Sequence, residues 1–180
     1  APLDSVSTVS NRTPSGLHRV LVFDSGVGGL SICQEIMPAC QNVEIHYLSD
    51  NKGFPYGETP EQQLIANASA LLLTAVQLIK PTLVVIACNT SSTVVLPTLR
   101  EKINVPIVGV VPAIKTAAQL SNAFALLATP ATIARRYTDN LIATYASDKT
   151  VIKLGSRELV RHIESHLHGE DLDRNLLIKI

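Results

Sequence analysis

Six short runs of β-branched and aliphatic residues, each followed by a stretch with helical spacing, constrain this chain more than any other feature. Residues 20–23 (VLVF), 43–48 (VEIHYL), 83–87 (LVVIA), 105–111 (VPIVGVV), 124–128 (FALLA) and 151–154 (VIKL) read as strands. Helices are expected between and after them, over residues 30–37, 60–79, 92–100, 113–120, 133–145 and 156–166. Thr59 is the expected cap of the second helix, with Pro60 at its first position, and Ser91 or Ser92 the expected cap of the third. Strands spaced by helices imply an α/β fold, with parallel sheets and helices on both faces. The strands are apolar runs rather than alternations, as burial on both faces requires. A domain boundary fits between residues 92 and 106, although composition alone does not fix it.

In parallel sheets chemistry gathers in the loops that leave the carboxyl ends of the strands. Three polar loops fall there: Asp24-Ser25-Gly26, the run from Cys88 to Ser92, and the run from Thr129 to Thr132. Cys88 follows the third strand directly and precedes a helix, whose N-terminus favours a thiolate, the form that serves as base or nucleophile. The competing reading is a small buried core residue. Asn89 and Thr90 can bind a carboxylate or an ammonium. Asp24 and Ser25 can face a ligand across the Gly-rich turn, or simply cap a helix. Gly26, Gly28 and Gly29 have the wrong spacing for a dinucleotide fingerprint, and no phosphate-loop lysine follows. Pro55, Tyr56 and Gly57 form a shaped turn after the second strand. Thr129 and Thr132 suit an anion at a helix N-terminus, or capping, while Arg135 and Arg136 read as a solvated face.

Other classes are disfavoured. Lys+Arg and Asp+Glu balance at 15 each, and aromatics are 4% with no Trp, which argues against nucleic acid as the main partner. Cys33, Cys40 and Cys88 are odd in number and lack metal-ligand spacing, so reduced thiols in a cytoplasmic protein fit better than disulfides or zinc. Cys33 and Cys40 lie in or just after a helix and read as structural. His162, His166 and His168 cluster near one helix end without the acids or thiols that would make a metal site. Residues 1–18 are polar and rich in Ser, Thr and Pro, with no apolar core of signal-peptide length, and read as a flexible arm. The longest apolar stretch, residues 68–79, is too short to span a bilayer.

Taken in order and spacing, VLVFDSGVGGLS, DNKGFPYGE, VVIACNTSS, VPIVGVVPAIK, LLATPATIARRYT and LGSRELVRHIESHLHGED resemble the glutamate racemases, in their enterobacterial-type branch. The resemblance covers residues 20–171. It implies two Rossmann-like domains, which we place at residues 19–98 and 99–180, the second domain and a returning C-terminal segment being incomplete. It implies isomerisation of L- to D-glutamate for peptidoglycan synthesis, without pyridoxal phosphate, other cofactor or metal. By matched motif, Cys88 is similar to the first of two catalytic cysteines. Asp24 and Ser25 match positions that contact substrate and support that thiol. Pro55, Tyr56 and Gly57 match a substrate loop, and Asn89, Thr90, Thr129 and Thr132 match substrate-binding positions. Glu164 looks like an acid beside the second cysteine. That second cysteine belongs to a Gly-Cys-Thr-His motif absent from these residues, so the chain reads as truncated and inactive by itself in racemisation. The resemblance also admits UDP-N-acetylmuramoyl-alanine as an activator and a homodimer as the assembly. An aspartate-type racemase and a non-catalytic module binding an acidic small molecule remain the alternatives.

Overall fold

A computed structural model describes residues 16–179; the first fifteen residues of the expected arm lie outside them. Four parallel strands, β1 (His18–Asp24), β2 (Val43–Ser49), β3 (Leu83–Ile86) and β4 (Ile107–Gly109), form one sheet in the order β2-β1-β3-β4. Two more parallel strands, β5 (Ala123–Ala128) and β6 (Thr150–Gly155), form a second sheet. The first sheet reaches past residue 98, because β4 pairs with β3, so a division of the chain by sheets falls after β4.

Alternate residues of β1 explain why its sequence is apolar without interruption. Leu21 and Phe23 point into one core with Leu64, Ala68 and Leu72 of helix α2 (Glu61–Ile79), while Val20 and Val22 point into another with Cys33 of α1 (Leu30–Ala39). Helices thus cover both faces, as expected. Leu21, Phe23, Leu64, Leu72 and Ile86 are almost wholly buried, and each such side chain contributes about 1.5–3 kcal/mol relative to exposure. The apolar stretch at residues 68–79 lies within α2, which is long and apolar enough to cross a membrane by length and composition. Its stripe of Leu64, Ala68, Leu72 and Ala75 faces the sheet.

The second sheet departs from the expectation of fully buried strands. Burial alternates along β5, and Ile152 and Leu154 of β6 are exposed. Several element boundaries also differ. Thr59 closes the short 3-10 turn Tyr56–Glu58 instead of capping α2, which starts at Glu61 after Pro60. The helix expected from residue 92 begins at Asn89 and divides into α3 (Asn89–Val94) and α4 (Leu96–Lys102). Pro97 has no N–H to continue the ladder across the division. Strand β4 is shorter than its apolar run, being bracketed by Pro106 and Pro112. Helix α5 (Ile114–Leu120) follows closely where expected. The helix expected over 133–145 is two, α6 (Pro130–Ile133) and α7 (Arg136–Tyr145), separated by extended Arg135. The Thr138 hydroxyl fixes that break by donating to the Thr132 carbonyl at 2.6 Å. Helix α8 spans Arg157–Leu167, and a further helix, α9 (Arg174–Lys179), had no sequence signal strong enough to read.

Candidate active site

The first sheet's connections run outward in opposite directions from β1 and β3, which opens a crevice at the carboxyl ends of these neighbours. The loop after β1 carries Asp24 and Ser25, and the loop after β3 carries Cys88, Asn89 and Thr90. They meet there: Ser25 Oγ and Cys88 Sγ lie 3.6 Å apart, both residues buried. Asp24 is also buried, and its carboxylate accepts the Gly29 N–H at 3.0 Å. That bond ties down the turn leading into α1, whose N-cap is Gly29 without a side-chain cap bond, so Asp24 braces the turn rather than capping the helix and lies beside the thiol.

Cys88 itself caps α3, its sulfur accepting the Ser91 N–H at 3.5 Å. Ser91 and Ser92 therefore lie inside the helix they were expected to cap. The thiolate expected from the helix N-terminus is overturned as well. Burial first, and then the charge of Asp24, push the Cys88 thiol up, against smaller lowering by Ser91 and Ser25. Helix α3 has only six residues, and so short a dipole cannot offset desolvation. Cys88 is a neutral thiol at rest.

Around this thiol lies a cavity of about 350 Å³. Its walls include Asp24, Ser25, Cys88, Asn89 and Thr90 from the first sheet, Pro55, Tyr56 and Gly57 from the turn after β2, Thr129 after β5, and Arg157, Val160, Ile163 and Glu164 from α8. Of the residues singled out in the sequence, Thr132 alone stands behind this wall. It is buried, and its hydroxyl meets that of Thr129 at 3.0 Å. Thr129 caps α6 by accepting the Thr132 N–H at 3.2 Å, and its hydroxyl lies 3.4 Å from that of Thr90. Gly57 lets the turn approach Thr129, since a Cβ there would lie 3.1 Å from the threonine Cβ.

Tyr56 is buried, and its hydroxyl donates to Asp50 Oδ2 at 2.5 Å. Burial and the Asp50 carboxylate push its phenol up, so it remains a protonated donor. Glu164 crosses from α8 to the first loop, where its two oxygens accept the Val27 N–H at 3.1 and 3.2 Å. Gly26 makes room for it: a Cβ on Gly26 would fall 2.7 Å from the Glu164 carboxyl carbon. Nearby, Arg161 pairs with Glu58 at 2.8 Å. Arg135, read as solvated, pairs with Glu61, while Arg136 is exposed.

Residues 20–177 match the model of the Asp/Glu/Hydantoin racemase family. The chain belongs to this family. It is 51% identical over 167 residues to the glutamate racemase of Vibrio vulnificus, covering 92% of this chain and 64% of that protein. Against the Vibrio cholerae glutamate racemase, identity is 49% over 163 residues, covering 90% and 62%. Among solved structures, Escherichia coli glutamate racemase in complex with L-glutamate and the activator UDP-MurNAc-ala superposes with a TM-score of 0.86 at 46% identity, covering 89% of this chain and 61% of that one. The Aquifex pyrophilus glutamate racemase gives 0.71 at 28% identity, covering 88% and 63%. The chain thus spans a little under two thirds of the length of these relatives.

Within this racemase-family site, sequence reasoning missed the residues that hold others. The Tyr47 hydroxyl donates to the Gly26 carbonyl at 2.7 Å, and Asp50 takes Tyr56. Burial, with the charge of Asp24 next, pushes the Tyr47 phenol up as well. The available signal was position: Tyr47 and Asp50 end or follow the strand beside β1. The histidines near the end of α8 have local partners. His162 Nε2 accepts the Asp173 N–H at 2.9 Å, and His168 Nδ1 lies 2.8 Å from the Glu164 carbonyl.

The three cysteines differ in setting: Cys33 is buried in the core, Cys40 is exposed, and Cys88 faces the cavity. Brief alkylation at neutral pH is expected to modify Cys40 first, Cys88 slowly and Cys33 least, with the Cys88 rate rising in alkali. Peptide mapping checks this order, and rapid modification of Cys88 at neutral pH would contradict the raised thiol.

Proposed function

We propose that the chain carries one half of a glutamate racemase centre, in which Cys88 moves the Cα proton on one face of the amino acid. The observation that carries this reading is the meeting of Cys88 with Asp24 and Ser25 at the crevice between β1 and β3. The E. coli relative crystallised with L-glutamate supports the choice of substrate.

The chemistry needs a base on one face of Cα and an acid on the other. The anion of Asp24 holds the Cys88 proton in place while the site is empty. A substrate ammonium beside Asp24 offsets that charge, so the thiol can release its proton to solvent as an amino acid binds. Asn89 and Thr90, one exposed and one buried on the first turn of α3, offer donors to the α-carboxylate. The thiolate then takes the Cα proton, and the resulting thiol returns one to the same face. Inversion requires a second group opposite, and among the described residues no other thiol lines the cavity. The same reading extends to D-glutamate supply for peptidoglycan, and to activation by UDP-MurNAc-ala as named for the E. coli relative. It also takes the two sheets as the centres of two domains.

A single thiol makes a distinctive prediction. In D2O, with chelator and no added cofactor, this chain should exchange the Cα hydrogen of one glutamate enantiomer without inverting it. Proton NMR reads the exchange and chiral chromatography the configuration. Glutamate held without exchange would favour the binding-module reading, faster exchange of aspartate would favour the aspartate-type branch, and inversion by this chain would overturn the one-thiol assignment.

A further inference from the structure

The cavity's charged walls are unbalanced in a way the proton-transfer chemistry does not use. Asp24, Glu58 and Glu164 line it, and each already has a partner within the protein: the Gly29 N–H, Arg161 and the Val27 N–H respectively. Arg157 is the one cationic side chain among the described residues that line the same cavity. It is exposed and has no hydrogen bond or ion pair within the described residues.

Its place on α8 is not explained by helix stability. Arg157 opens the first turn, where the helix dipole disfavours a cation. Its spacing does suit the cavity: Arg157, Val160 and Glu164 recur at three and four residues and share one face of α8. A guanidinium there is pre-shaped to take a carboxylate through two N–H donors.

An acidic amino acid brings one ammonium and two carboxylates. On the proposed reading the ammonium has Asp24 and the α-carboxylate has Asn89 and Thr90. The distal carboxylate is left with the Tyr56-Gly57 turn and Thr129, two paired acids, and Arg157 as the one unpaired charge of opposite sign. We infer that Arg157 binds the distal carboxylate of the substrate and sets the preference for an acidic side chain over its amide. This inference rests on the proposed function, and it adds a specificity residue to that site.

Protection of Cys88 from alkylation tests it without requiring turnover. Glutamate and glutamine are titrated against the parent chain, Arg157→Met and Arg157→Lys, with melting temperatures confirming that each variant is folded. We expect Arg157→Met to weaken protection by glutamate about tenfold, the factor one charge-assisted contact of modest strength carries. Protection by glutamine should hardly move, Arg157→Lys should recover part of the loss, and added salt should weaken glutamate in the parent chain more than in Arg157→Met. Unchanged glutamate protection in Arg157→Met, or equal weakening of glutamate and glutamine, overturns the role of Arg157 while leaving the proposed function standing. Failure of glutamate to protect Cys88 in the parent chain overturns both.

Discussion

Cys88→Ser should fold as stably as the parent chain and exchange no Cα hydrogen of glutamate at all. Serine is among the best helix N-caps, so its hydroxyl can accept the Ser91 N–H that the sulfur accepts now. It nearly preserves volume in a buried position. A serine hydroxyl, however, ionises far less readily than a thiol, and in this pocket the burial and Asp24 that already push Cys88 up would act on it equally. Thermal melting reads the first half of the expectation, and exchange in D2O the second. Residual exchange near the parent rate would remove Cys88 from the chemistry.

The same variant should change how stability depends on alkali. The folded state holds the Cys88 proton more tightly than the unfolded chain does. Its contribution is therefore complete below the ordinary thiol value and is lost as pH rises through the higher folded value. Melting curves of Cys88→Ser should lack that alkaline component.

Asp24→Asn is expected to lower exchange by roughly a hundredfold or more, within the range for a group that manages proton transfer, while costing little stability. The amide oxygen of asparagine can still accept the Gly29 N–H, so the turn into α1 is kept. What disappears is a charge next to the thiol. Because that charge raises Cys88, its removal should shift the alkylation profile of Cys88 toward lower pH. A more acidic thiol with slower exchange would separate Asp24's service to the substrate ammonium from any effect on thiol supply. Unchanged exchange would leave Asp24 only the role of bracing the turn into α1.

Much of the site was legible because it depends on chain order. Once the apolar runs are strands of a parallel sheet, Asp24, Cys88 and Thr129 must leave strand ends, and ten of the eleven residues singled out do line one cavity. What sequence could not supply was the balance at each position. Placing Cys88 at a helix N-terminus was right, but the sign of its shift depended on the depth of burial and on an acid far away in sequence. Thr132 fell behind the wall, buried with its hydroxyl on Thr129 and its carbonyl on Thr138. Arg135 found Glu61 across the fold, a pairing no local pattern encodes. The β5 and β6 runs looked like buried strands, yet their sheet has two strands and alternating cover. Apolar composition alone does not distinguish the two cases.

The contact between Gly26 and Glu164 has a consequence for how such a chain can change over generations. Glu164 occupies the space that any side chain at Gly26 would need, and it takes up the backbone N–H of the next residue. Alanine at 26 would push the flexible end of Glu164 aside, and either that or shortening residue 164 would leave the Val27 N–H without its partner. The two positions lie 138 residues apart, yet a side chain gained at the first is felt at the second. A side chain gained at residue 26 should therefore cost least in a chain where residue 164 is already short, so ancestry at one position colours what the other tolerates.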